Sequence, residues 1–371
     1  MASNLGLATN ILRTLETSSS VGMFARDTGG CLISRLGLSR SSDESREISI
    51  AELSESALFY FSAPFLAKGS AKVFSKLYGL NKDQFSSKIN ELKNVDSNTL
   101  KKIKLGKFGQ IMTTFGLILP AVFAIAPIRN NVTLAETGKD KFVSVVGLED
   151  KQKQEKHKEE GIKKSVNLAK KLGIIAASVI GATAGILALS NNNNTYKKIE
   201  PIIDKTIKHF DFTKSGDLER LHYGALIYPV SIASYFYSSR DKYEVMENAR
   251  RFSVTVPLLF FGEKLIEKPI HKFFNNKYKT NIFQHNNVKT YKDIFKMPKP
   301  EQISALKAKN RAYGLTFFIN TMAIAGAVAL LNRIETKRKY LNEHKNSIQN
   351  DRYKYLQPAN MTKFPDINKF I

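Results

Sequence analysis

Few residues in this chain have the types and spacing to do chemistry, and most have a plainer explanation. Asp27-Thr28-Gly29 is the core triplet of an aspartic protease. That site needs apolar residues before the Asp and a β-rich surround. Arg26 precedes it here, and the neighbourhood reads as helix and loop, so a glycine-rich turn accounts for it. Cys31, the single cysteine, follows without a nearby base to activate it. Asp211 to His222 resembles an EF-hand calcium loop, with Asp211, Thr213 and Ser215 at the first ligand positions and Gly216 at the sharp turn. Its last position is His222, where calcium requires a bidentate carboxylate. A turn with Ser215 as helix N-cap and Asp217 in the first turn explains the same residues. The six histidines include no pair three to five residues apart, which removes a helical zinc site. No phosphate-binding loop, dinucleotide fingerprint or nucleophile elbow is present. The expectation is a protein that is not an enzyme and holds no metal or cofactor.

Other residues point to packing. Gly173, Ala177, Gly181 and Gly185 recur every four positions. Small residues at that spacing let helix backbones approach closely, within one chain or between two copies. Asn320 sits near the middle of an apolar run and reads as a polar tie between helices. Gln110 opens another such run. Glu263, inside a short apolar stretch, is the one acidic candidate for a transport role, and Lys264 and Glu267 beside it favour a surface ion pair.

These residues need elements to carry them, and the apolar runs supply those. A bilayer core about 30 Å thick takes roughly 20 apolar helical residues to cross. Residues 108–128 and 312–332 are charge-free and bracketed by Lys or Arg, and 172–190 is charge-free after Lys170 and Lys171. Residues 221–239 form a weaker fourth run with His222 and Pro229 inside, and 253–266 is too short to span. None of the first three shows the polar face of a soluble helix. Each long run opens with a basic residue, a bulky apolar residue and then Gly, but nothing beyond these positions aligns, so this is not read as a repeat. If the four runs alternate in direction, Lys and Arg within 15 residues of their ends total 16 on each side, so orientation stays open.

The 371 residues carry a net charge of +24, with a mean hydropathy of −0.24. An anionic partner is implied. Basic residues are spread over every polar stretch, and no nucleic-acid-binding motif is present, so lipid is expected rather than nucleic acid. Lys68, Lys72 and Lys76 line one side of an amphipathic helix whose other side carries Leu66, Val73, Phe74, Leu77 and Leu80. Lys264, Lys268 and Lys272 repeat the pattern opposite Ile266, Ile270, Phe273 and Phe274. Such helices hold anionic headgroups.

The chain therefore divides into an Arg- and Ser-rich segment at 1–47, mobile or targeting, and an amphipathic region at 48–107. A membrane-embedded region at 108–335 and a polar tail at 336–371 follow. The fold class is all-α: a helical membrane protein with about four spans, within three to five, plus basic amphipathic and polar helical segments. A non-catalytic, membrane-organising role on anionic lipid is the leading expectation, with homo-oligomerisation through the small-residue seam as a second contact. A transporter or channel is the alternative, and a soluble nucleic-acid binder comes third. The expected location is a bacterial cytoplasmic membrane, or else an organellar one.

Overall fold

The computed structural model describes residues 2–17, 19–92, 95–149, 157–212, 220–284 and 287–345. It is all-α apart from a two-stranded hairpin pairing Phe283–Gln284 with Asn287–Val288. In chain order the helices are α1 (Ala2–Thr17), α2 (19–37), α3 (42–77), α4 (Lys82–Ser86), α5 (Ser97–Thr137) and α6 (Phe142–Val145). Then come α7 (Lys158–Leu189), α8 (Asn193–Phe210), α9 (Arg220–Ser238), α10 (242–278), α11 (Tyr291–Ile294) and α12 (Lys299–Glu343). Three of them, α5, α7 and α12, are long and apolar enough to cross a membrane. The divisions at residues 47 and 335 fall inside α3 and α12, which run unbroken across them.

Local chemistry explains the helix ends. Ser41 and Asp241 cap α3 and α10 by accepting hydrogen bonds from backbone N–H groups of the first turn, and Asp96 does the same for α5. Gly138 ends α5 with φ +71°, a left-handed conformation that glycine adopts without strain.

The chain contains an internal repeat, separated by 200 residues, that correlates α3 with α10. Arg40, Glu44, Glu47, Lys68, Lys72, Phe74, Tyr78 and Asn81 reappear as Arg240, Glu244, Glu247, Lys268, Lys272, Phe274, Tyr278 and Asn281. With Leu58/Leu258 and Phe61/Phe261, ten of the 42 positions in 40–81 match. Chance would give about two or three at ordinary composition. Geometry follows the sequence. Both helices contain a π-helical turn at the same height, 57–62 and Leu258–Gly262. Just past the two helix ends, Gly79 and Lys279 take positive φ, +62° and +49°. Contacts around the repeat also match. Asp211 pairs with Lys107 and accepts the backbone N–H of Ile89; Glu16 pairs with Lys309 and accepts that of Tyr291. The openings of the four apolar runs take no part in it. The repeat lies in sparse charged and aromatic positions of α3 and α10.

The two units, α1–α5 and α8–α12, exchange partners. Helices α8 and α9 of the second unit pack on α5, and α1 and α2 of the first pack on α12. Helices α3 and α10 stay on the long helix of their own unit. Each assembly has its own apolar core. Phe108, Ile111, Phe115, Ile203 and Ile207 belong to one, and Phe274, Ile282, Tyr291, Ala305 and Ala312 to the other. A third cluster, with Phe59, Tyr60, Ile118 and Ile227, joins α2, α3, α5 and α9.

Directions follow from the contacts. Ser234 Oγ donates to the Phe123 carbonyl and Asn130 Nδ2 to that of Ser238, so α9 runs parallel to α5. Gln110 Nε2 donates to the Ala67 carbonyl, while Ala51 packs with Ala126, so α3 is antiparallel to α5. Asn332 donates to Glu247 and Gly262 abuts Asn320, which makes α10 antiparallel to α12. Arg129 and Arg333 converge on one set of glutamates, so α5 and α12 end at the same face. The two units are therefore parallel, related by an axis along the helices. Helix α7 is the unpaired return between them, antiparallel to α5. Gly161 meets Asn131, Gly116 meets Val179, and Gly109 meets Leu187.

Candidate functional site

Helix α3 begins with an acidic face turned inward. Glu44, Glu47, Glu52 and Glu55 are all buried, on the same side as Ile48 and Ala51. A buried carboxylate needs a partner, and arginine is the suited one because its planar fork binds both oxygens. The chain holds 43 Lys and only 14 Arg, and six of those arginines converge here.

The core of the network is reciprocal. Arg40 binds Glu44 of its own unit at 2.9 Å and Glu247 of the other at 2.8 Å. Arg240 binds Glu244 of its own unit at 3.0 Å and Glu47 of the other at 2.7 Å. Each is a two-pronged contact, and each arginine also donates its backbone N–H to its own unit's first glutamate. Arg129 reaches Glu244 at 2.7 Å and Arg333 reaches Glu44 at 3.6 Å, again across the units. Burial pushes the Glu47 carboxyl up, but the guanidiniums of Arg240 and Arg129 more than reverse this and hold it below the usual carboxylate range.

Symmetry fails one turn further in. Arg35 pairs with Glu52, whereas the matching positions carry Tyr235 and Phe252, whose rings meet edge-on at 5.3 Å. Arg251 bridges the two versions, bonding Glu52 at 2.7 Å and lying over both rings. A cavity of about 40 Å³ beside it is lined by Cys31, Arg35, Glu247, Arg251, Asn332 and Arg333. That volume suits one or a few waters and no larger solute.

Helix interruptions gather below the network. The π-helical turns of α2 (Asp27–Leu32) and α12 (Ile319–Ala323) meet where Gly30 abuts Thr321. The turn of α10 meets that of α12 where Gly262 abuts Asn320. Extra-residue turns of this kind are frequent at functional sites. Asn320 is buried, and neither of its amide atoms has a hydrogen-bond partner among the described residues. Thr28 and Ser56 share a hydrogen bond of 2.7 Å, and Ser231 donates to Glu55 at 3.0 Å.

The remaining sequence-derived residues fall as follows. Lys68, Lys72 and Lys76 are exposed on α3, and Lys264, Lys268 and Lys272 on α10. The face opposite the first stripe is the expected one only in part: Phe74 lies against Gly109 of α5 and Leu66 packs on a core cluster. Ala63, Ala67 and Ser70 turn inward and let α5 close in, while Val73 and Leu77 turn outward beside the lysines. Gly173, Ala177, Gly181 and Gly185 are exposed, and the three glycines have open space where a side chain would stand. The seam, expected either within the chain or between two copies, thus makes no close contact among the described residues of one chain. Helix α7 meets α5 through Gly109, Gly116 and Gly161, because its other face carries Val179 and Leu187. Asn320 does lie between helices.

The side chains of Asp27 and Glu263 lie outside the described residues, as do residues 213–219 of the calcium-like loop. Asp211 of that loop is committed to Lys107. His209 and His222, with ring centres 5.5 Å apart, come together although 13 residues separate them. Among the described residues, no group of three or more His, Cys, Asp or Glu could hold a metal ion.

Sequence reasoning missed the arginine–glutamate network. Two signals carried it: arginine used sparingly in a lysine-rich chain, and Arg-x₃-Glu-x₂-Glu occurring at both 40 and 240. No protein-family model, curated protein or solved structure matches this chain.

Proposed function

We propose that this chain is an integral membrane protein that holds anionic lipid headgroups on one face, in a non-catalytic, membrane-organising role. One observation carries the reading: the same amphiphilic surface is exposed twice, at matching positions of the two units. Phe65 and Leu265 are 76 % and 72 % exposed, and Val73 and Phe273 are 61 % and 56 % exposed. Lys68, Lys72, Lys268 and Lys272 stand beside them. Large apolar side chains in water cost free energy, and patches of them rimmed by charge mark a membrane or partner surface. Both helices run out of the bundle away from the arginine network. Apolar residues at 61 and 65 therefore come first and the lysines later, the order needed to leave a hydrocarbon layer through its headgroups.

The crossing number follows from helix direction. The fourth apolar run is α9, 19 residues or about 28 Å long. It runs parallel to α12, so α10 must return between them. By the same directions α3 returns before α5, and α2, whose Gly30 and Ser34 meet Thr321 and Met322, runs with α12, so the reading takes seven crossings: α2, α3, α5, α7, α9, α10 and α12. A bacterial cytoplasmic membrane is the location we favour.

Alkaline carbonate extraction tests embedding, and headgroup retention tests the role. After a mild detergent wash, purified protein is expected to keep labelled phosphatidylglycerol in preference to phosphatidylcholine. Combined Lys68→Gln, Lys72→Gln, Lys268→Gln and Lys272→Gln is expected to cut the first several-fold and leave the second unchanged. Equal retention by the variant would overturn the reading.

A transport function is a second reading, favoured by the parallel repeats and the interrupted helices at their junction. Transporter sites lie near mid-membrane at repeat interfaces. Its test is dye-reported proton or monovalent-cation flux into proteoliposomes, with Asn320→Leu expected to abolish any signal.

A further inference from the structure

The unpaired helix α7 gives one assembly a feature that its counterpart lacks. Between α5, α7, α8 and α9 lies an open cleft of about 630 Å³. Its walls include Met112, Leu119, Phe123, Ile175, Val179 and Phe210, and among the described residues Thr206 is the one polar side chain lining it. The volume falls within the roughly 300–1,000 Å³ of ligand pockets. Such pockets usually add several convergent polar groups, and this one has almost none.

The cleft reaches from Ile111 to Phe123 along α5, about 18 Å at 1.5 Å per residue. One leaflet of a hydrocarbon core is about 15 Å deep. Exposed lysines stand near both ends: Lys205 and Lys208 flank Thr206 and Phe210 at the floor. Leu172 lines the mouth, level with Phe123, and exposed Lys170 and Lys171 precede it. Lys171 is one helical turn before Ile175 and so shares its face. Its side chain leans toward the helix N-terminus, away from the apolar walls, as a lysine reaching for headgroups must.

We infer that this cleft holds one acyl chain of an anionic phospholipid, with its headgroup on Lys171 and its tail descending past Leu119 to Met112 and Phe210. The inference rests on the membrane-embedded reading. It adds a single, saturable site in the leaflet next to the arginine network, distinct from the lysine faces of α3 and α10.

The chain has no tryptophan, so one introduced residue reports alone. Met112→Trp places it at the cleft floor, with Phe123→Trp as a second position should the first not fold. Leu265→Trp, exposed on α10, is the control. Purified protein in detergent is titrated with phosphatidylglycerol brominated at mid-chain. Cleft reporters are expected to quench saturably at one lipid per chain, the control only in proportion to total lipid. Lys171→Glu should raise the midpoint at least fivefold for brominated phosphatidylglycerol and leave that for brominated phosphatidylcholine unchanged. Quenching that never saturates, or that phosphatidylcholine or a brominated fatty acid matches, overturns the inference. Carbonate extraction of the same variants separates the failures. Protein released by carbonate removes the membrane reading as well, whereas integrated protein without saturable quenching removes the cleft site alone.

Discussion

At the scale of single residues, the reciprocal arginines make unequal demands on their surroundings. Arg240 and Glu47 are 8 % and 5 % exposed, against 14 % and 16 % for Arg40 and Glu247. Removing one partner of a buried pair leaves the other charge uncompensated, a loss of about 3–5 kcal/mol when burial is deep. Arg240→Gln should therefore lower unfolding stability in detergent by about that much. Arg40→Gln, with more solvent at hand, should cost about 1–3 kcal/mol. Equal losses would contradict the burial argument. His271 makes a different prediction. It stacks on Phe283 at 4.1 Å, and burial together with the charge of Lys309 pushes it down to about 4. Its unfolded value is near 6.5, so the unfolded chain takes the proton first. The native state keeps its full stability above about pH 6.5 and loses part of it as pH falls toward 4. His271→Gln should flatten that part of a stability–pH curve recorded by thermal unfolding. Glu47 acts lower on the scale: its depressed value means that its contribution is present above about pH 4.3 and fades as acid protonates it.

At the scale of elements, the close contact of α10 with α12 depends on a missing side chain. A Cβ on Gly262 would stand 2.1 Å from Asn320 Oδ1, closer than atoms pack. Gly262→Ala should cost about 1–3 kcal/mol by overpacking. Asn320→Ala in the same chain removes the obstructing amide and should restore most of it, a coupling that a double-mutant cycle measures. What was legible in the sequence divides along similar lines. Helices α5, α7 and α12 could be read because a charge-free run of span length has few other uses. The first half of α3 could not be read, because its inward face alternates glutamates with Ile48 and Ala51. Polarity then no longer separates the buried face from the exposed one, and the periodic signal cancels. The lysine stripe at 68, 72 and 76 was visible, and its opposite face was legible in part: Phe74 and Leu66 pack inward, whereas Val73 and Leu77 turn outward. Small residues let α5 approach, so Ala63, Ala67 and Ser70 make the contact that larger neighbours were expected to make.

At the scale of the whole molecule, the parallel repeat decides which loops share a side, and this corrects the even charge count. Alternating the four apolar runs places the C-terminal end of α12 with the first lysine stripe and the second stripe opposite both. The contacts put that end at the face opposite both stripes, where Arg333 meets Glu44 and Lys242 meets Glu343 at 2.6 Å. Regrouped this way, one end of the bundle (66–92, 95–107, 191–212, 264–284 and 287–311) holds 25 Lys and Arg against 9 Asp and Glu among the described residues. The other end (33–56, 129–149, 157–171, 239–255 and 333–345) holds 20 against 15 among the described residues, and six of its arginines are tied to buried glutamates. The uncompensated charge lies at the lysine end, which should therefore face the anionic cytoplasmic leaflet. Single cysteines in a Cys31→Ser background test this directly, because Cys31 is the only native thiol. Lys72→Cys and Lys272→Cys should react with an impermeant maleimide from one side of sealed vesicles, and Lys242→Cys and Lys339→Cys from the other. An alternating four-span arrangement would put position 339 on the side of position 72. That outcome would undo the parallel repeat and, with it, the shared lipid face.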